Sequence, residues 1–183
     1  VKELALTQGI EIIQPRKMRD GSLASTLAAR NLDLAIVIAY GRILTADTLE
    51  SIPAGFWNIH TSLLPRHRGA SPIQHAIWTG DHESGVSLMQ MTKGCDEGPV
   101  LATARTVLSP DENCDSLSKR LVELSITLLL QSLEQAKNEG LTAIEQDHAA
   151  ASHARLLCKQ DGELNFNETA EVLCRKIRAL NPW

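Results

Sequence analysis

With 183 residues, 43% of them hydrophobic, the chain has enough apolar content for one cored domain and length for part of a second. A formal net charge of -4 and only 3% aromatics argue against a strongly basic, base-stacking nucleic-acid face, and no uninterrupted apolar run reaches the roughly 18 residues of a membrane span. The four cysteines (Cys95, Cys114, Cys158, Cys174) are widely spaced without a C-x-x-C pair, which reads as a cytosolic protein with free thiols and no zinc site.

In chain order, Val1 to Gly9 has helical spacing, with Leu4 and Leu6 apolar and Gly9 as its stop. Ile10 to Gln14 is a strand candidate ended by Pro15, and Ser22 to Arg30 reads as a helix with Leu23 and Leu27 on one side. Asp33 to Tyr40 is the clearest strand; its unbroken apolar run predicts burial on both faces, as in the middle of a parallel sheet. A loop at Gly41 to Leu44 and a helix from about Thr45 to Ser51 lead to a strand at Trp57 to Thr61. A turn punctuated by Pro65 and Gly69 follows, then a helix over 72–79. Ser71 before Pro72 is a favoured helix start, since serine can cap a free N–H and proline has none to leave unpaired.

Gly85 to Met91 alternates, predicting a strand with one face less buried, and Pro99 to Leu108 is a second strand that can pair with it across the glycine-bounded loop 93–98. Asp115 to Glu139 is the longest helix, striped by Leu117, Leu121, Leu124, Ile126 and Leu128; Asn138 and Gly140 end it. Residues 141–160 read as irregular connecting chain, and Thr169 to Leu180 as a last helix. Strands alternating with helices predict an α/β open sheet, mostly parallel. The pattern divides into 1–140 as the main domain and 141–183 as its end and a linker. Val1 is no initiator methionine and the chain stops at Asn181-Pro182-Trp183, so both ends read as cut.

Asn58 and His60 sit two apart, so on a strand they share a face. An amide donor and an imidazole at a strand end, where open α/β sheets form their crevice, are candidates for a reaction centre. Asp96 lies between Gly94 and Gly98 and reads either as a turn aspartate or as a carboxylate that polarises His60. Arg42, Arg66 and Arg68 read either as solvated charges or as anion contacts. The other five histidines, His67 among them, have no comparable context and read as structural.

The run N-I-H-T-S-L-L-P-R-H-R-G-A-S-P-I-Q over 58–74, with G-V-S-L-M-Q-M at 85–91 and G-x-D-x-G at 94–98, resembles the formyltransferases that use 10-formyltetrahydrofolate. Within that family, A-Y-G-R-I-L at 39–44, S-P-I-Q-H-A-I at 71–77 and R-A-L-N-P-W at 178–183 are most similar to the members that formylate methionyl-tRNA. The resemblance implies a Rossmann-like formyltransferase fold lacking its first strands, with Asn58, His60 and Asp96 as the catalytic trio. It implies that Arg42, Ile43, Leu44, Ser62, Leu63, Pro65, Lys93, Gly94 and Cys95 surround the folate. His67, where an aromatic is common, and Cys95-Asp96-Glu97-Gly98-Pro99, where Leu-Asp-Thr-Gly-Asp is usual, depart from the pattern.

The function so implied is formyl transfer from 10-formyltetrahydrofolate to the α-amine of initiator methionyl-tRNA, without a metal, by a cytoplasmic monomer (or one of the mitochondrial matrix). Rival readings keep the chemistry and change the acceptor to glycinamide ribonucleotide, an amino sugar or water. A further rival makes the chain a non-catalytic folate-binding fragment.

Overall fold

The computed structural model describes residues 1–183 as α1 (Lys2–Thr7), α2 (Ser22–Ala28), β1 (Ala35–Ile38), α3 (Ala46–Leu49), β2 (Phe56–His60), α4 (Pro72–Thr79), β3 (Glu83–Gln90), β4 (Val100–Val107), α5 (Cys114–Asn138) and α6 (Ala170–Leu180). The four strands form one sheet in the order β1-β2-β3-β4. Period-two alternation decides what β2 contributes to each face. Trp57 and Ile59 pack with Ile77, Val86, Leu88, Leu117, Leu121 and Leu128, the core under α4 and α5. Phe56 packs oppositely with Leu44, Ile52, Leu23 and Leu27 of the α2–α3 side. Asn58 and His60 continue the Phe56 face.

The α/β class holds, but the expectation of a mostly parallel sheet needs correcting. Only β1 and β2 run parallel, while β2–β3 and β3–β4 are antiparallel. A helix between two strands reads as a crossover, yet the chain after α4 re-enters the sheet from the end at which β2 leaves it. The anticipated pairing across the 93–98 loop is present as the β3–β4 hairpin.

Burial also redistributes. β1 is an edge strand paired only with β2, and Ile38 and Tyr40 are exposed. β3, central in the sheet, is buried on both faces from Ser84 to Met89 despite its alternating sequence. Ile10 to Gln14 pairs with nothing and forms no strand. Ser71 precedes α4, but its hydroxyl makes no capping bond; its backbone carbonyl instead accepts from the His75 N–H and Nδ1. The cap of α5 is Asn113, whose Oδ1 takes the Ser116 N–H at 2.9 Å while Ser116 Oγ takes the Asn113 N–H at 3.1 Å.

Candidate active site

Two loops meet over the end of β2. The first leaves His60 and runs to α4; the second is the tip of the β3–β4 hairpin. The hairpin tip closes tightly because Gly98 lies against β3, where a Cβ would stand 1.9 Å from the Gln90 carbonyl oxygen. Asp96 takes a left-handed backbone (φ +52°), uncommon for a non-glycine residue. That turns its carboxylate toward the sheet.

The carboxylate of Asp96 gathers the site. Asn58 Nδ2 donates to its Oδ1 at 3.4 Å, the Gly69 N–H donates to Oδ2 at 2.9 Å, and His60 Nδ1 lies 3.6 Å from Oδ2. Gly69 reaches Asp96 from φ +112°, and a side chain there would collide with the Ala154 carbonyl. His60 is only 6% exposed, and its Nε2 is 2.9 Å from the His67 carbonyl oxygen. A carbonyl only accepts, so Nε2 carries a hydrogen and a neutral ring presents an unprotonated Nδ1 to Asp96. At 3.6 Å the pair is too far apart for a direct hydrogen bond.

The surrounding charges have assigned partners. Arg66, which read as solvated or anion-binding, pairs with Asp81 at 2.6 Å, and His67 Nε2 lies 2.7 Å from the other Asp81 oxygen. Burial pushes the Asp81 carboxyl up, but bonds from His67 and Thr79, with the charge of Arg66, hold it below the usual carboxylate range. His67 has more than a packing role, since its backbone carbonyl holds the ring of His60. Arg68 is buried (2% exposed) and donates to Gln146 Oε1 at 3.0 and 2.7 Å. Gln146 had no sequence signal, lying in a stretch without periodicity.

The other residues singled out in the sequence spread around this centre. Arg42 and Ile43 are exposed, Ile43 at 84%, while Leu44 is buried in the cluster that Met91 also packs against. Lys93 leans toward Glu50 at 3.8 Å, linking the hairpin tip to the end of α3. Cys95 Sγ approaches Asp96 Oδ2 at 3.6 Å, and burial together with the Asp96 charge raises its thiol. Ser62 Oγ donates to the Arg66 carbonyl at 2.6 Å and so braces the turn. Leu63 and Pro65 line a polar cleft of about 730 Å³ together with Arg66, His67, Asp81 and Ser84. No group of three or more His, Cys, Asp or Glu side chains is placed to hold a metal ion, and no helix is long and apolar enough to cross a membrane.

The sheet thus brings an amide, an imidazole and a carboxylate to one strand end, groups able to donate hydrogen bonds and exchange protons. The Formyl transferase family model matches residues 1–133, and the chain belongs to that family. Methionyl-tRNA formyltransferases from Sorangium cellulosum (strain So ce56) and Desulfotalea psychrophila (strain LSv54 / DSM 12343) are each 43% identical over all 183 residues. The chain spans only 59% and 57% of those relatives. Among solved structures, a 4-N formyltransferase from Francisella tularensis aligns with all of the chain and 73% of its own length at TM-score 0.80 and 19% identity. An N-formyltransferase from Helicobacter canadensis, solved with folinic acid and dTDP-3-aminofucose, aligns with 97% of this chain and 62% of its own at TM-score 0.77 and 18% identity. At those identities the agreement is one of fold.

Proposed function

We propose that the protein carrying this chain transfers the formyl group of 10-formyltetrahydrofolate to the α-amine of methionyl-tRNA. The observation that carries this reading is the convergence of Asn58, His60 and Asp96, with 3.4 and 3.6 Å separating the first two from the third. The acceptor rests on the names of the two relatives similar to the whole chain. The folate donor is favoured by a structural neighbour solved with folinic acid.

In this reading the amine nitrogen attacks the formyl carbon, a C–N bond forms, and the bond to the folate nitrogen breaks. Negative charge grows on the formyl oxygen, and Asn58 Nδ2 and a protonated His60 Nδ1 are the donors on the facing strand. A single such donor is typically worth roughly 100- to 1000-fold in rate. The attacking amine must lose one proton and the departing folate nitrogen must gain one; Asp96, within 3.6 Å of His60, carries it between them. Orientation supplies much of the rest, since effective molarities of order 10⁵ M are available to well-placed reactants. Ile43, Leu44 and the 93–95 segment are the proposed folate contacts, with Arg42, Ser62, Leu63 and Pro65 completing the set. The reading places the protein where charged tRNA and folate meet, as a cytoplasmic or matrix monomer.

The test offers labelled 10-formyltetrahydrofolate with methionyl-tRNA, glycinamide ribonucleotide, a nucleotide-linked amino sugar and water as competing acceptors. Label is expected on methionyl-tRNA. Label on another amine, or released as formate, replaces the acceptor; folate binding without transfer to any of them reduces the protein to a binding module.

A further inference from the structure

The stretch after α5 lies beyond the residues matched by the family model, yet it is bonded to both loops of the site. It starts at the hairpin, where Ile144 and Val100 exchange backbone bonds at 2.8 and 2.9 Å. It finishes against the other loop. There the Arg68 N–H donates to the Ser152 carbonyl at 2.8 Å, the Ala154 N–H to the Arg68 carbonyl at 2.7 Å, and the His67 N–H to Ser152 Oγ at 2.9 Å.

Between these anchors stands Gln146, itself buried. Its Nε2 donates to the carbonyls of Asp96 at 2.9 Å and Gly98 at 2.6 Å, and its Oε1 accepts both bonds from Arg68. Every hydrogen-bonding position of the amide is therefore in use. The arginine depends on it too. Besides Gln146, its side chain meets only His148 Nδ1, at 3.3 Å, and the half-exposed Glu97 carboxylate, at 3.9 Å, and a buried cation that loses its shortest bonds is strongly disfavoured.

A left-handed non-glycine residue persists only where its surroundings hold it, and Asp96 is such a residue. We infer that Gln146 is a positioning residue for Asp96: through its amide, the placement of buried Arg68 in the His67–Gly69 turn fixes the backbone of the hairpin tip. The spacing between the Asp96 carboxylate and the His60 ring is thereby set by a residue that touches neither reacting group. The catalytic half of this inference rests on the role proposed above for Asp96; the structural half does not.

Gln146→Glu separates the two functions of the side chain, because it keeps an acceptor for Arg68 and removes both donors to the hairpin carbonyls. The first readout is hydrogen exchange of the Gly69 amide, which reports its bond to Asp96 without any substrate. In Gln146→Glu it is expected to speed up about tenfold, while the core amides of Leu88 and Leu121 are unchanged. The second readout is transfer kinetics: kcat falls about 10- to 100-fold with KM for the folate nearly constant, the signature of a misplaced reacting group. Gln146→Ala should show the same pattern with lower stability; if it does not fold, Gln146→Glu decides alone. Gly69 exchange within about twofold of wild type in Gln146→Glu overturns the inference. So does a loss of protection shared equally by Leu88 and Leu121, which would give Gln146 a purely structural role. Altered Gly69 exchange with unaltered kcat retains the structural half and removes the catalytic role of Asp96.

Discussion

At the scale of single residues, the site is a set of donors arranged around one carboxylate, and each donor is fixed by a neighbour. The orientation of His60 follows from the His67 carbonyl, which leaves Nδ1 facing Asp96. The presence of Asn58 and His60 on one face was legible, because strand alternation is a local rule. Local sequence left Asp96 open between a turn aspartate and a partner of His60, and the hairpin that returns it to β2 brings its carboxylate to that ring. His67 was not legible at all, since its backbone carbonyl does the holding and no side-chain pattern marks that.

Asp81 supplies a pH test at this scale. Its carboxyl is held below the usual range, near 3.9 for aspartate, by His67, Thr79 and Arg66. A folded-state value below the unfolded one stabilises the fold above the unfolded value, and that stabilisation is lost as pH falls through the folded value. Asp81→Asn should therefore destabilise the protein by about 1 kcal/mol at neutral pH, allowing for solvent screening. The gap between variant and wild type should close as pH falls below the usual aspartate value and through the lower folded-state one. Urea midpoints of both proteins at several pH values check this.

At the scale of elements, helix α5 shows how far periodicity reaches. Leu117, Leu121 and Leu128 from its apolar stripe are buried against β3 and β4, as their spacing demands. Ile126 belonged to the same stripe but is 56% exposed, because it lies too far around the helix to reach the sheet. Leu121→Ala should cost about 2–5 kcal/mol through the cavity it leaves. Ile126→Ala should stay within about 0.5 kcal/mol of wild type. Thermal or urea unfolding of the two variants, side by side, reads the difference. The strands were less legible: β3 alternates in sequence and is buried on both faces. Burial in a sheet depends on neighbours, which a strand's own residues do not encode.

At the scale of the whole molecule, the α/β class followed from alternating elements, but the direction of β3 did not, because a connecting helix does not say from which end the chain re-enters. Residues 144–154 were least legible, as they carry neither helical nor strand period. Their contribution is made by backbone groups and one buried amide that join loops far apart in the chain. The central claim nevertheless concerns three side chains, and Asp96→Asn addresses it most directly. Asparagine keeps the size of the side chain and an acceptor for Gly69 while removing the proton-carrying group. Single-turnover formyl transfer to methionyl-tRNA by folded Asp96→Asn protein should fall by roughly 100- to 10,000-fold. A rate within about twofold of wild type would contradict the account.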